Sequence, residues 1–310
     1  MEPRISICIP AYKNPGHLKR LLDSIRIQSF TDYEIVITDD SPDNSVHDLV
    51  TEMFPEVIYS RNLPALGTPA NWNAAIARAS GTWIKLMHND DWFTGPDSLK
   101  TFHDATQAHP EKKFFFSAFQ NVVEADNAHY VVKCSRVDLW FLKLNPYHLV
   151  KRVYVGNPSC TMVHRDIQIK YDTRYKFIVD FDYYIRCFRS GVPYAYIDPV
   201  LLNIGFHKEQ VTTYTFREPK VQIPENMMFL EEHGIAILNN IIVYDYFWRL
   251  FRNLGIRSAE QAAAYYPLIP PACKRIIRLQ SRISPSLLKV GILSKSFMFL
   301  GWLARQFSRI

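Results

Sequence analysis

Cysteine is sparse in this chain and badly spaced for cross-linking: Cys8, Cys134, Cys160, Cys187 and Cys273 make an odd number without a C-x-x-C pair. That excludes a disulfide framework and a zinc knuckle, and it makes a reducing cytoplasm the expected compartment. The opening residues, with only the brief apolar run Ile5 to Pro10, lack the charged lead and long apolar centre of a secretion signal, so nothing there is expected to direct export. Internal repeats and low-complexity tracts are missing as well. Charged residues amount to only 21%, against 48% hydrophobic and 14% aromatic, which excludes intrinsic disorder. A chain of 310 residues has room for one large α/β domain and an appendage.

Acidic residues are absent where basic ones crowd. Lys274, Arg275, Arg278, Arg282, Lys289, Lys295, Arg305 and Arg309 follow one another with no carboxylate among them, and they carry much of the formal charge of +6. An anionic surface is the expected partner. Nucleic acid is not, because these residues belong to no recognisable reading motif. The stretch Ser286 to Phe307 mixes Leu, Ile, Phe and Trp with lysines and arginines. It is too interrupted to span a bilayer and suits a peripheral position on one, the plain alternative being a helical cap on the sheet.

The apolar run Ile5 to Ile9, stopped by Pro10, reads as a buried strand, and Leu18, Leu21, Leu22 and Ile25 recur at helical spacing. Glu34 to Thr38 supplies a second strand and Asp43 to Phe54 a second helix. Val57 to Ser60, a helix over Thr68 to Ser80 and the strand Trp83 to Met87 continue the alternation. Such alternation implies a mostly parallel, Rossmann-like sheet flanked by helices, with ligands beyond the carboxyl ends of the strands. Later strands are expected at Phe114 to Ala118, Tyr130 to Lys133, Thr161 to His164 and Tyr194 to Ile197, and a helix after Asp180. Beyond about residue 220 the pattern is helical only. The expected division is a catalytic domain over residues 1–220 and a helical C-terminal extension over 221–310.

Three acidic groups stand where such a sheet gathers chemistry. Asp39-Asp40 ends the second strand, His88-Asn89-Asp90-Asp91 ends the strand Trp83 to Met87, and Asp180 with Asp182 opens the late helix. Carboxylates at a strand end can hold a divalent cation, which stabilises a departing diphosphate by Lewis acidity. A carboxylate at Asp180 can take a proton from an attacking hydroxyl. Each group also has a plain reading, a solvated turn or a helix cap, and capping is the simpler role for Asp182.

In order and spacing these pieces resemble glycosyltransferase family 2 and its GT-A fold over roughly residues 4 to 215. The carriers are Ile5-Ser6-Ile7-Cys8-Ile9-Pro10-Ala11-Tyr12-Lys13-Asn14, Gln28-Ser29-Phe30 to Asp39-Asp40-Ser41, Asn73-x-x-Ile76-x-x-Ala79-x-Gly81, and the two later acidic groups. The resemblance implies an inverting transfer of a sugar from a nucleoside-diphosphate sugar to a saccharide or lipid-linked acceptor. It also implies Mg²⁺ or Mn²⁺, and a place in bacterial surface polysaccharide or glycolipid synthesis at the cytoplasmic face of the plasma membrane. It assigns Pro10, Ala11, Tyr12, Asp40, Asn73, Asp90 and His207 to the donor, Asp91 to the metal and Asp180 to the base. Trp92 and Asp182 are expected near sugar or acceptor. The chain departs from the family's D-x-D pattern at Asn89, and Val179 replaces a usual Glu. A silent binding protein of the same fold is one alternative. A sugar-phosphate nucleotidyltransferase is another, but its Gly-rich basic loop is missing, since Ile9-Pro10-Ala11-Tyr12 stands in its place.

Overall fold

The computed structural model describes residues 4–208 and 210–307; Arg309 of the basic tail lies outside them. The chain folds as two compact units. The first comprises Met1–Trp140, Val153–Thr173 and Tyr183–Gln210, and the second Phe141–Arg152, Arg174–Asp182 and Val211–Ile310. The chain therefore divides at more places than the one boundary expected near residue 220, because two internal segments pack with the C-terminal helices.

The first unit opens with β1 (Ile5–Ala11), α1 (Pro15–Arg26), β2 (Tyr33–Asp39), α2 (Ser45–Met53), β3 (Ile58–Arg61), α3 (Ala70–Ala77) and β4 (Trp83–Leu86). There follow β5 (Trp92–Phe93), α4 (Ser98–Ala108), β6 (Phe114–Val123), β7 (Ala128–Val132), α5 (Arg136–Leu144), β8 (Thr161–His164), α6 (Val179–Arg189) and β9 (Tyr194–Phe206). The strands form one sheet in the order β3-β2-β1-β4-β8-β6-β9-β5, with β7 paired to β6. From β3 to β4 neighbours run parallel; β8 enters antiparallel between β4 and β6.

Every residue of β1 is buried, as a parallel strand covered on both faces requires. Helix α1 seals one face with Leu18, Leu21, Leu22 and Ile25, an i, i+3, i+4, i+7 stripe whose side chains each contribute ~1.5–3 kcal/mol on burial. Pro15 starts it, where a missing N–H costs nothing. Two features escape local pattern. The two-residue β5 is too short to show periodicity, and β9 runs on to Phe206 rather than stopping at Ile197, with register shifts against β6 near Ser117 and Ala118. The extension carries Gly205 and His207 to the end of β4.

The second unit is helical: α7 (Val211–Thr215), α8 (Pro219–His233), α9 (Ile241–Asn253), α10 (Ala259–Ala263), α11 (Pro271–Ser281), α12 (Pro285–Lys289) and α13 (Gly291–Phe307). Its centre is α9, which buries Val243, Tyr244, Phe247, Trp248, Leu250 and Phe251. Gln280 on α11 donates to the Trp248 carbonyl at 2.6 Å. The buried Glu225 carboxylate accepts the Lys176, Phe177 and Ile178 amides at 2.7, 3.0 and 3.1 Å, holding the backbone that leads into α6. Among the described residues no helix is long and apolar enough to cross a membrane.

Candidate functional site

Parallel β2, β1 and β4 end together, so the residues after each share one edge of the sheet. After β1, Pro10 and Ala11 are buried and Tyr12 is exposed. Lys13 and Asn14 both take positive φ, 54° and 51°, an uncommon pair for side-chain-bearing residues that turns the chain sharply into α1. The Lys13 amide donates to Ser41 Oγ at 2.7 Å and its carbonyl accepts from Asn89 Nδ2 at 3.4 Å, so all three strand ends are tied together.

After β2, the two aspartates divide their work. Asp39 accepts the Ser41 amide at 2.8 Å and the Tyr59 hydroxyl at 2.7 Å. Asp40 accepts Asn62 Nδ2, the Leu66 amide and the Gly67 amide at 2.8, 3.0 and 2.7 Å, shaping the loop over residues 62–67. Gly67, at φ 75°, presents its amide there from a conformation open to glycine. Asn73, expected at the donor, instead turns both ends of its amide to the Tyr171 backbone, donating at 2.8 Å and accepting at 3.0 Å.

After β4, Asp90 and Asp91 differ although adjacent. Asp91 is 1% exposed. Its Oδ2 accepts Asn157 Nδ2 at 2.8 Å and Ser159 Oγ at 2.5 Å, and its Oδ1 accepts the Gly205 amide at 3.1 Å. Burial, then the neighbouring Asp90 charge, pushes its carboxyl up to about 8. The Asp90 side chain is 16% exposed and approaches His207 Nε2 at 2.9 Å. Gln210 Nε2 donates to the same oxygen at 3.0 Å. Burial works against ionisation of Asp90, but these hydrogen bonds and the nearby imidazoles outweigh it and hold the carboxyl below the usual range.

His88, Asp90 and Asp91 offer one ligand atom each within 4.8 Å of one another. His88 Nε2 is buried and has no hydrogen-bond partner among the described residues. Burial lowers the His88 pKa, favouring the neutral ring that ligation needs. The carboxylate oxygens suit Mg²⁺ or Mn²⁺, and the imidazole nitrogen favours Mn²⁺ of the two, so the residues present fit such an ion.

Several contributors to this site escaped the sequence reading. Asn157 and Ser159 enter from a short turn; the Asn157-Pro158 dipeptide marks a turn but says nothing of where it lands. Lys85, on β4 and wholly buried, donates from Nζ to the Ser159 carbonyl, and burial brings it down to about 7. The Arg20 guanidinium lies 3.7 Å from the centre of the Trp92 ring and donates to the Asp90 carbonyl at 2.9 Å. It covers one face of the ring expected to meet sugar. The His17 ring stands 4.7 Å from that of His207 and pairs with Glu124 at 3.1 Å.

In the second unit, Asp180 is half-buried. Its Oδ1 is without a hydrogen-bond partner among the described residues, and burial pushes the carboxyl up to about 7. Asp182 is fully buried, with Oδ1 3.3 Å from His233 Nε2, whose Nδ1 lies 3.2 Å from the Tyr147 hydroxyl. Asp182, expected near the acceptor, turns its carboxylate to the interior of the helical unit, toward His233.

Residues 6–112 match the family model "Glycosyl transferase family 2". The chain is 26% identical over 220 residues to a putative colanic acid biosynthesis glycosyl transferase, WcaA, of Escherichia coli, covering 68% of this chain and 76% of that protein. It superposes on S. aureus TarS in complex with UDP-GlcNAc with a TM-score of 0.65 at 15% identity, covering 96% of this chain and 89% of that one. A mannosyltransferase from Pyrobaculum calidifontis, in complex with GDP-Man and Mn²⁺, gives a TM-score of 0.58 at 13% identity over 100% and 89% of the two chains. The fold is that of GT-A glycosyltransferases.

Proposed function

We propose that this chain, which belongs to glycosyltransferase family 2 and is a glycosyltransferase, moves a sugar from a nucleoside-diphosphate donor to an acceptor hydroxyl with inversion. The observation that carries the donor reading is the His88, Asp90 and Asp91 set at the end of β4, beside the loops that end β1 and β2. The structural neighbours are complexes with UDP-GlcNAc and with GDP-Man and Mn²⁺, which supports a nucleotide-sugar donor and an ion of that kind.

Asp90 is the primary ion ligand in this proposal, rather than Asp91. It stands higher at the rim and is held ionised by His207 and Gln210, whereas Asp91 spends both oxygens on Asn157, Ser159 and Gly205. Asp91 and His88 complete the donor set. A bound divalent ion would supply Lewis acidity toward the diphosphate oxygens. His207, His17 and Arg20 add positive or hydrogen-bonding groups beside it, and Tyr12 offers an exposed ring to the nucleotide. Asp40 positions the 62–67 loop; direct contact with a base requires it to exchange one of its present hydrogen bonds.

Asp180 is the base of the proposal. A carboxyl raised to about 7 is poised to accept a proton near neutral pH, and its unpartnered Oδ1 is an acceptor in want of a donor. An acceptor hydroxyl deprotonated there attacks the anomeric carbon as the diphosphate leaves, and one displacement inverts the configuration. The similarity to a putative colanic acid biosynthesis glycosyl transferase supports a saccharide acceptor in bacterial surface polysaccharide synthesis; a lipid-linked form of it at the cytoplasmic face of the membrane is what the family resemblance implies. The test is a panel of nucleotide sugars followed by thermal shift and by release of nucleoside diphosphate, with and without Mn²⁺. Release of pyrophosphate, or no turnover of any donor, defeats the proposal.

A further inference from the structure

Helix α13 packs on the second unit through one side. Ser294, Met298 and Gly301 are buried there, and the Trp248 indole donates to Ser294 Oγ at 3.1 Å. A Cβ at Gly301 would meet the Tyr244 hydroxyl at 2.9 Å, so the helix lies close against α9 at that point. Trp302 donates to the Asn239 carbonyl at 2.8 Å and anchors the far end.

At about 3.6 residues per turn, the side opposite these contacts carries Ile292, Phe299, Leu300 and Phe307, with Ser296 among them turning its hydroxyl back to the Ile292 carbonyl. A water-facing row should be polar. These four are instead 81%, 44%, 60% and 71% exposed. Leu287 and Val290, at the end of α12, are also exposed and extend the apolar surface toward the start of α13. Exposed apolar surface on this scale marks a contact, not a solvated face.

The charges along α11 to α13 are of one sign. Lys289 and Lys295 are exposed within and beside the row, Lys274, Arg278 and Arg282 are exposed on α11 and just after it, and the sequence carries no acidic residue beyond Glu260. A second copy of the chain would bring one basic face against another. A nucleic acid would leave the apolar row in water. A bilayer surface with anionic headgroups satisfies both parts at once, taking the apolar row into the acyl boundary and the lysines into the phosphate layer.

We propose that the α12–α13 face docks this protein on anionic lipid, with α13 lying in the headgroup plane. The surface deepens the reading of a membrane-borne acceptor, and its purpose rests on that reading, while the surface itself is argued from the helices alone. The whole protein is sedimented with mixed phosphatidylglycerol–phosphatidylcholine vesicles and with pure phosphatidylcholine vesicles. Binding to the mixed vesicles only is expected, weakened by salt. K289Q/K295Q should lower partitioning by about twenty-five-fold, at roughly fivefold per lysine near the surface. The triple variant I292S/L300S/F307S should lose vesicle binding with an unchanged melting temperature, since these are the most exposed of the four and Phe299, which stacks on Trp302, is left in place.

Failure of the wild type to bind mixed vesicles overturns the proposal, as does binding by the triple serine variant at the wild-type level. So does a wild-type dimer in solution that the triple serine variant makes monomeric, which would assign the face to a second copy. Donor hydrolysis, read in vesicle-free solution, separates the two ideas. If hydrolysis is absent while vesicle binding holds, the transfer reading falls and the surface stands.

Discussion

His207 and Asp90 stand 117 positions apart in sequence and meet at 2.9 Å, Nε2 against Oδ2. The contact exists because β9 runs past its expected end and carries the chain back over the end of β4. It joins the acidic turn to the loop that follows the sheet, and with the Gln210 amide it is one of two contacts through which that loop holds Asp90.

Replacing His207 by Ala should therefore weaken the ion site without unfolding the protein. Loss of a group that orients a ligating carboxylate lowers metal affinity by about 10–100-fold. Calorimetric titration of Mn²⁺ alone into H207A and the parent protein measures it. Equal affinities would remove His207 from the site.

Gly205 offers a steric test of the same junction. A Cβ there would come within 2.6 Å of the Asp90 carbonyl, a backbone atom that cannot swing aside. Gly205→Ala should push the end of β9 away from β4, costing about 1–3 kcal/mol of stability and disrupting the amide that Asp91 accepts. Chemical denaturation reads the first effect and donor turnover the second. A variant as stable and active as the parent would show that the junction is not tightly closed.

Asp91 gives the ion-free protein a distinctive response to pH. Its folded pKa, about 8, lies above the ordinary 3.8, so the protonated folded form is favoured. The stability it contributes is fully present below about pH 4 and is lost as pH rises through about 8. Asp90, shifted the other way, acts only in a more acidic window. Thermal melting in chelator should fall with pH across this range, Asp91→Asn should flatten the slope, and Mn²⁺ should reverse it by binding the ionised carboxylates. An unchanged slope in the Asn variant would show that Asp91 is not the titrating group.

For Asp180 the prediction concerns rate. Asn at this position should lower turnover by about 10²–10⁴-fold while donor binding survives. The parent should gain activity as pH rises through about 7, because the carboxylate must be ionised to accept a proton. The residual activity of D180N should lack that limb. Full turnover in the variant would exclude Asp180 as the base.

Much of this was legible in advance where the signal is local. The Ile5 to Ile9 run, the Leu18-Leu21-Leu22-Ile25 stripe and the acidic pairs ending β2 and β4 all declare themselves within a few residues, since period and turn chemistry act over that span. The stretch Asp138 to Tyr154 declares nothing of the kind, since it holds a short helix and a 3₁₀ turn, capped by Asn145, with no sustained period.

The division of labour inside the acidic turn was not legible. Adjacent residues on an irregular turn have no periodicity to say which faces inward, so the assignment of Asp91 to the metal and Asp90 to the donor, and of Asp180 to the base, rested on the family resemblance. The partners that distinguish them, Asn157, Ser159, Gly205, His207, Gln210 and His233, come from 51 to 120 positions away.

By itself the sequence determined the alternation of strands and helices, the edge of the sheet where polar residues collect, and the one-signed charge of the tail. Each of these follows from side-chain chemistry repeated along the chain. Only the tertiary structure decided which carboxylate is buried and which stands at the rim, how far β9 runs, and which side of α13 is left bare. Those outcomes depend on desolvation and packing between distant segments, and no local stretch of residues encodes them.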